Sequence, residues 1–414
     1  MSNETTPSQA AWNRFAEQLK EVGEKIVGPI GARSPRERVD GFRYLASLIA
    51  GGHELEMEAD RAHPVLARAF TPLRSFVGDG PDTLYHDAKL DESLCYEFTI
   101  RRSDDIFFSI VVYASDDDGM RSMVSFLIDK DIAFEEDAGD QIATIQISAE
   151  RPEGATNWLK LEGNQPFIMT RQYFPECVIE VDKGKYRPAI MNIECATDVP
   201  PPEQYAIDDL SAGLDRLIAF MHDTVDAGLG VSAIVGMSTI EYESDEHSTP
   251  TRIGADGQLA VEEGEHEEYT PDEVFEMIDP KVVANNLPGP GIGYAGVSFK
   301  LADDEAILIE GKDVPCRYWS CQVFDHYLRA GDYRHYPVAI NNRQTVYDED
   351  GSFRIYACGE NPGVKNWVST EGRHRGQVVL RTLLAETDLL PEMSVIKIAD
   401  IPEIDRGGPM PGQG

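Results

Sequence analysis

The sequence predicts a mainly β protein made of two jelly-roll-like β-sandwiches that arose by internal duplication, with helices at the N-terminus and between the sandwiches. Two observations lead to this fold class. Short segments that alternate between polar and apolar residues recur in two separate stretches of the chain. A motif centred on an Asn-Trp pair occurs once in each stretch. A chain of 414 residues is also long enough for two domains.

The N-terminal part predicts two amphipathic helices before the first strand. The first covers 8–27, and the second begins at Ser34 as N-cap with Pro35 as its first residue and ends at Gly51-Gly52. Apolar residues at helical spacing predict the buried faces. These are Trp12, Phe15, Leu19, Val22 and Ile26 in the first helix, and Val39, Phe42, Leu45, Ala46 and Ile49 in the second.

The remaining segments follow from the change in periodicity and from breaks in composition. A third helix is expected at about 207–227, an acidic loop at 241–273 and a second β-rich stretch at about 292–398. In the first β-rich stretch we predict strands at 96–101, 106–113, 123–128, 142–149, 167–174 and 177–181. The predicted units are an N-terminal helical segment (1–75), the first β-sandwich (76–200), a helical connection with the acidic loop (201–290), the second β-sandwich (291–400) and a tail (401–414).

Composition limits the classes of partner. A net charge of -36 repels phosphate backbones, so we expect neither nucleic acid nor an anionic membrane as a partner. The six cysteines form no CxxC pair, and the first residues contain no basic start followed by an apolar run. A reduced, cytoplasmic protein is therefore expected.

The repeated motif indicates duplication most directly. Gly154, Asn157, Trp158, Glu162 and Gly163 recur 209 residues later, and Arg171 recurs as Arg381 after a slip of one residue. We interpret Trp158 and Trp367 as structural plugs of the two sandwiches, although stacking on a ring-shaped ligand remains an alternative. We interpret Arg171 and Arg381 as structural residues that pair with Glu162 and Glu371, and a clamp for an anion is the alternative.

Four segments of the chain resemble one known family. They are GDGPDTLYHDAKLD (78–91), NWLKLEGNQPFIMTRQYF (157–174), the stretch 318–353 that begins YWSCQVFDHYLRAGDYRHY, and NPGVKNWVSTEGRHRGQVVLR (361–381). Together they are similar to domain of unknown function 1214. This resemblance implies a pair of jelly-roll-like sandwiches and is compatible with a homo-oligomer. It supplies no activity, cofactor or set of catalytic residues.

The densest polar and aromatic cluster is DHYLRAGDYRHY, which has no counterpart in the first half. A site here would use His335 or His326 as general base, with Asp332 beside them and Arg334 as anion binder. A polar loop packed against the neighbouring domain is the alternative. Candidate ligand-binding residues are Tyr333 in this cluster, and Tyr85 and His86 in a loop before the first strand, facing a pocket between the domains.

Neither a metal nor another cofactor is expected. The nine histidines form no HxH or HxxxH pair, and no Walker loop or GxSxG motif is present. The sequence therefore predicts an enzyme that acts on a small organic molecule by acid–base chemistry, through hydrolysis, elimination or isomerisation. A structural, assembly or ligand-binding protein with tandem jelly rolls is the alternative. Sugar binding is a third reading, which a cytosolic location disfavours.

Overall fold

Strands dominate the architecture. The computed structural model describes residues 6–28, 31–32, 34–102, 104–115, 121–137, 139–202, 205–240 and 289–407, together with the short strands 251–253, 259–261 and 276–277. Within these residues, most strands belong to four largely antiparallel sheets. The acidic segment 241–273 lies outside the described residues except for two of those short strands.

Four α-helices are described, and two of them precede the first sheet. The N-cap predicted at Ser34 is confirmed, since its hydroxyl accepts from the Glu37 amide at 3.2 Å. The predicted end of the α-helix at Gly51-Gly52 is confirmed, and a π-helical turn at His53–Met57 follows it directly. The third predicted helix runs further than 227. The helices are α1 (Pro7–Val27), α2 (Pro35–Gly52), α3 (Val178–Asp182) and α4 (Ile207–Ile240).

The predicted buried face is confirmed in α1 except at Trp12, and it is largely wrong in α2. Trp12 is 55% exposed, Val39 60% and Phe42 49%. In α2 the buried face instead carries Asp40 and Tyr44, because this helix packs on both α4 and the second sandwich. Periodicity shows that a helix is amphipathic, but the neighbours decide which stripe is covered.

The first sandwich consists of two sheets. One has the order β1-β2-β9-β4-β5, and the other has β10-β3-β7-β6 with β8 parallel to β7. The strand predicted at 177–181 is wrong: this segment forms α3, whose first amide donates to the Pro81 carbonyl at 2.7 Å. The strands are β1 (Ala67–Arg68), β2 (Thr83–Lys89), β3 (Tyr96–Arg102), β4 (Phe107–Ser115), β5 (Arg121–Ile128), β6 (Glu135–Asp137), β7 (Asp140–Ser148), β8 (Asn157–Lys160), β9 (Asn164–Tyr173) and β10 (Ile190–Cys195).

The second sandwich repeats this arrangement. Its sheets have the orders β13-β14-β20-β16-β17 and β19-β18-β15-β21, and β19 is again parallel to its neighbour. The strands after β10 are β11 (Thr251–Ile253), β12 (Leu259–Val261), β13 (Glu276–Met277), β14 (Ile292–Lys300), β15 (Glu305–Lys312), β16 (Tyr318–Phe324), β17 (Ala339–Asn341), β18 (Ser352–Cys358), β19 (Trp367–Ser369), β20 (Arg375–Leu383) and β21 (Glu392–Lys397).

The repeated asparagines occupy the same structural position in both halves. The Asn157 side chain accepts from the Ala133 amide at 2.8 Å and donates to the carbonyls of Ala133 and Thr144, both at 3.1 Å. Asn366 likewise accepts from one loop amide at 2.8 Å and donates to two carbonyls at 2.9 Å. Together with the matching sheet orders, this confirms the internal duplication.

The two halves meet through the outer faces of their five-stranded sheets. Tyr173 of β9 and Tyr318 of β16 are fully buried, with ring centroids 5.2 Å apart. Arg317 reaches from the second half to Asp129 of the first at 2.6 Å. Alternate side chains of the central strands β9 and β20 point away from their sandwich cores, and Tyr173 and Leu383 near the strand ends share one apolar cluster at the junction.

Candidate functional site

The five-stranded sheets of the two halves carry the same three residue types at equivalent positions of three neighbouring strands. In the first half, Arg171 of β9 lies opposite Tyr85 of β2 on one side and Ser109 of β4 on the other. In the second half, Arg381 of β20 lies opposite Tyr294 of β14 and Ser320 of β16. In each half, a tyrosine, an arginine and a serine thus lie side by side on three neighbouring strands at the junction.

Arg381 carries a buried positive charge that no carboxylate of the described residues contacts directly. Its side chain is only 5% exposed. It donates from Nη1 to the Tyr85 hydroxyl at 3.1 Å and from Nη2 to the Gly78 carbonyl at 2.7 Å, and both acceptors are uncharged. Among the described residues, Nε has no hydrogen-bond partner and no carboxylate forms an ion pair with this guanidinium. A guanidinium stays protonated in proteins, so the positive charge persists.

Tyr85 connects the two arginines. Its hydroxyl accepts from Arg381, and the Arg171 guanidinium carbon lies 5.9 Å from its ring centroid. Arg171 is 3% exposed and also lies 5.7 Å from the ring centroid of Tyr113. Two cations from equivalent positions of the duplicated fold therefore share one aromatic residue in a dry environment, where electrostatic interactions are strong.

The loop before β2 lines this cluster with backbone carbonyls and carboxylates. Val77 has φ 40° and Gly78 has φ 75°, and a left-handed conformation is rare for a β-branched residue. This turn aims the Gly78 carbonyl at Arg381. A Cβ on Gly80 would lie 2.6 Å from Arg381 Nη1, so only glycine permits the close approach.

Asp79 is the carboxylate whose properties suit proton transfer. It is 1% exposed; Oδ1 accepts from the Ser75 hydroxyl at 2.6 Å and from the Ala330 amide at 3.1 Å. Oδ2 is buried without a hydrogen-bond partner among the described residues. Burial raises the pKa of Asp79 to about 6, against the opposing effect of its hydrogen bonds and of Arg381.

Asp82 and Tyr173 complete the junction. Asp82 accepts from the Tyr318 hydroxyl and, at 3.1 Å, from Asn341, so it links the loop of the first half to two strands of the second. Burial raises the pKa of Asp82. The Tyr173 hydroxyl has no hydrogen-bond partner among the described residues. The junction therefore contains unsatisfied polar groups of both donor and acceptor type.

Of the four predicted catalytic residues, two are half-buried and two are exposed. Arg334 and His335 are exposed, and Arg334 donates to Asp332 at 2.7 and 2.6 Å. His326 is half-buried beside Tyr327, with ring centroids 5.4 Å apart. The Tyr327 hydroxyl donates to the backbone of α2, so this end of the segment docks on the helices.

The other predicted residues are distributed as follows. Tyr85 and His86 belong to β2 and not, as predicted, to a loop. Tyr85 lies at the junction. The neighbouring His86 is in a different environment, where burial lowers its pKa to about 4. Tyr333 packs with the apolar cluster that contains Leu84 and Phe174. The half-buried Trp158 and Trp367 donate their indole N–H to Ser148 Oγ at 3.1 Å and to the Cys358 carbonyl at 3.2 Å, respectively.

The predicted ion pairs of the repeated arginines are wrong. Glu162 pairs with Lys160, and Glu371 pairs with Arg373 and accepts from the Asp332 amide. Each glutamate lies in a turn before its strand, whereas each arginine is near the end of that strand. Both halves keep the glutamate and the arginine, 9 and 10 positions apart, but the two side chains do not pair in either half.

The described part of the chain contains neither a cluster of metal ligands nor a membrane-spanning helix. No group of three or more His, Cys, Asp or Glu side chains there is suited to hold a metal ion. No helix there has both the length and the apolar composition required to cross a bilayer.

Two regions of the chain, 83–177 and 300–387, match the family described as protein of unknown function (DUF1214). The resemblance to this family is confirmed. Each DUF1214 region lies within one sandwich, and each contains one of the two junction arginines. No curated protein matches the chain.

Two solved structures are similar to this chain. An uncharacterized protein from Burkholderia cenocepacia is 25% identical, with a TM-score of 0.77, over 94% of this chain and 97% of that one. A protein from Vibrio parahaemolyticus is 13% identical, with a TM-score of 0.44, over 92% of this chain and 100% of that one. The first similarity supports the two-sandwich fold, and we draw nothing from the second.

Sequence reasoning found part of this junction and missed part of it. Arg171, Arg381 and Tyr85 were singled out, but Tyr173, Tyr318 and Asn341 were not. A usable signal was present: Gly80, Pro81 and Tyr85 recur 209 residues later as Gly289, Pro290 and Tyr294, the same offset as the Asn-Trp motif. The recurrence would have placed the GDGPD loop in register with the duplicated strands.

Proposed function

We propose that the chain binds a small organic anion at the junction of the two sandwiches and catalyses a proton transfer on it with its own side chains. One observation carries the proposal: the Arg381 guanidinium is buried and contacts only neutral oxygens among the described residues. The carboxyl groups of Asp79 and Asp82 act on Arg381 only from beyond ion-pair distance, so the buried guanidinium lacks a directly bound counterion, which is unfavourable. The planar fork of arginine matches a carboxylate, which makes a carboxylic acid the preferred ligand.

Asp79 is the proposed acid–base group. A pKa of about 6 leaves a carboxyl able to accept and return protons near neutral pH. Its Oδ1 is fixed by Ser75 and Ala330, while Oδ2 lacks a partner among the described residues. In the proposed reaction, ionised Asp79 removes a proton from the carbon beside a carbonyl or carboxylate. The resulting enolate retains the electron pair, and Arg381 stabilises its negative charge.

This mechanism favours elimination and isomerisation, because both can begin with proton removal from carbon. In isomerisation the protonated Asp79 returns the proton to a different atom. In elimination the electron pair expels a leaving group, and the proton stays on Asp79 until solvent removes it. The site differs from the 325–336 segment, where Arg334 is already paired with Asp332.

Binding is tested by thermal unfolding with pyruvate, succinate and benzoate as probes and with butanol as an uncharged control. An anion that binds only the native state raises the melting temperature, and the increase grows with the logarithm of the anion concentration above its dissociation constant. Arg381→Gln should remove the increase, and Tyr85→Phe should weaken it. Tyr96→Phe is the matched control, since Tyr96 is a fully buried tyrosine that donates to the Arg61 carbonyl elsewhere. No increase with any anion, or an equal increase in Arg381→Gln, would contradict the proposal.

Catalysis is tested separately by incubation of pyruvate and of succinate, which carry protons on the carbon beside a carbonyl or carboxylate, in D2O with the protein and detection of deuterium on carbon by NMR. We expect exchange with the native protein and none with Asp79→Asn, while binding persists in that variant. Binding without exchange in the native protein would indicate a ligand-binding protein and would reject the enzymatic part of the proposal.

A further inference from the structure

The outer surface of α1 and α2 is apolar where the two helices lie side by side. Trp12 and Val27 of α1 and Val39 and Phe42 of α2 are large apolar side chains, yet all four are exposed. A Cβ on Gly23 would lie 3.8 Å from the Phe42 ring, so the exposed surfaces of the two helices adjoin. A continuous exposed apolar patch of this kind is typical of an interaction surface.

The patch consists of one stripe on each helix. Within each stripe, successive residues are three or four positions apart, which places them on one side of their helix. We call the two stripes together the outer helical face. It comprises Trp12, Ala16, Leu19, Gly23 and Val27 of α1, and Pro35, Val39, Phe42 and Ala46 of α2.

Opposite charges flank the outer helical face. Glu17 and Glu24 are exposed and seven residues apart, so they lie along one edge of α1, turned away from α2. Lys20 between them is neutralised by Glu17 at 2.9 Å, which leaves the charge of Glu24. Arg36 and Arg43 are also exposed and seven residues apart, along the edge of α2 that is turned away from α1. The face is therefore acidic on one edge and basic on the other.

The carboxylate beneath the basic edge does not neutralise it. Asp40 lies 3.7 Å from Arg43, but three further guanidinium groups lie 3.4 to 3.9 Å from the same carboxylate. Two of these have one more carboxylate partner each, which leaves four guanidinium groups on three carboxylates. The Arg43 side chain is 68% exposed, so its charge is available to a partner. The three further groups belong to Arg36, Arg329 and Arg373.

We propose that the outer helical face joins two copies of this chain, with α1 of each copy against α2 of the other. A face with an acidic and a basic edge complements itself when a two-fold axis runs parallel to the helices. Such an axis keeps every residue at its own level along the helix. Because Gly23 lies beside Phe42, Glu24 of one copy is then level with Arg43 of the other. The alternative two-fold, with α1 against α1, would bring like charges together.

Charge and size both favour a second copy as the occupant. The net charge of -36 makes most of the surface repel another copy, whereas the outer helical face carries both signs of charge. The 18 residues of α2 span about 27 Å, and two adjacent helices are about 20 Å wide. The footprint is thus about 500 Å² on each copy and about 1,000 Å² in total, at the lower limit of specific interfaces. A micromolar dissociation constant is therefore expected. The proposal is independent of the anion site, since it uses none of the same residues.

Sedimentation velocity of the full chain between about 1 and 100 μM tests the proposal. We expect the mass to increase from monomer to dimer across this range. Phe42→Glu places a charge at the centre of the face and should weaken dimerisation about a hundredfold or more, while the fold tolerates it because this side chain is exposed. Leu390→Glu is the matched control, since Leu390 is 50% exposed outside the face, and it should leave the dimer unchanged.

Charge reversal tests the arrangement of the helices. Glu24→Arg and Arg43→Glu should each weaken dimerisation about fivefold to tenfold, because the two-fold axis repeats the altered contact. The double variant should restore the affinity to within about twofold. Phe42→Glu still tests the face if Arg43→Glu does not fold. A monomer at every concentration, a dimer that persists in Phe42→Glu, or a folded double variant as weak as the single ones would each overturn the proposal.

Discussion

The segments that lead into β2 in the first half and β14 in the second share several residues but differ in charge. The first reads GDGPDTLY (78–85) and the second reads LPGPGIGY (287–294). Both keep the Gly-Pro pair and the tyrosine that lies opposite the junction arginine. The first half has Asp79 and Asp82 where the second has Pro288 and Gly291. The fold thus requires the shared residues twice, whereas the two carboxylates occur once and are candidates for function.

The largest expected loss of stability tests whether the repeated asparagines have the same structural role in the two halves. Asn157→Ala and Asn366→Ala each remove three hydrogen bonds to buried backbone groups, which should cost about 4 kcal/mol in the free energy of unfolding. Urea unfolding measures this free energy for both variants and for the native protein. A cost below about 1 kcal/mol in either half would show that the two copies no longer share this interaction.

The next effect concerns the carboxylate that only the first half contains. Because the pKa of Asp79 is raised to about 6 in the fold, the protonated form stabilises the native state fully below the unfolded value near 4. This stabilisation, roughly 2–3 kcal/mol, is lost as the pH rises through 6. Asp79→Asn should remove this part of the pH dependence. The measurement is the difference in the free energy of unfolding in urea between the native protein and Asp79→Asn, followed from pH 4 to pH 8. A constant difference across this range would contradict the raised pKa.

A smaller effect is expected at the contact that joins the halves. Tyr318 of β16 donates to Asp82, whereas the equivalent position in the first half is Phe107 of β4. Tyr318→Phe should therefore cost about 1–2 kcal/mol through the loss of one buried hydrogen bond. Urea unfolding checks this value. Tyr356→Phe is the matched control, because it removes a tyrosine-to-aspartate bond of 2.9 Å inside the second sandwich. Only Tyr318→Phe should also weaken the effect of anions on the melting temperature.

The smallest effect is expected for His335→Ala. This side chain is exposed, so its removal should change the free energy of unfolding by less than about 0.5 kcal/mol. The increase in melting temperature with pyruvate or succinate should be unchanged. Loss of deuterium exchange in this variant would move the proposed chemistry from the junction to the 325–336 segment.

The amino-acid sequence by itself determined the duplication, the change from helical to strand periodicity and most strand positions. These are local or repetitive properties, and the Asn-Trp motif carries them because each sandwich needs the same buried amide. The sequence also identified Arg171 and Arg381 as equivalent. It assigned them the wrong partners, because spacing along the chain does not show which residues a strand end faces.

Only the tertiary structure decided what surrounds those arginines. The outer faces of the two five-stranded sheets pack against each other, and the loop before β2 lies at this junction. Gly78 and Tyr85 of the first half therefore accept hydrogen bonds from Arg381 of the second, and Asp79 lies near enough to feel its charge. These contacts join residues about 300 positions apart. No local pattern encodes them, because burial and electrostatic environment arise from the packing of whole domains.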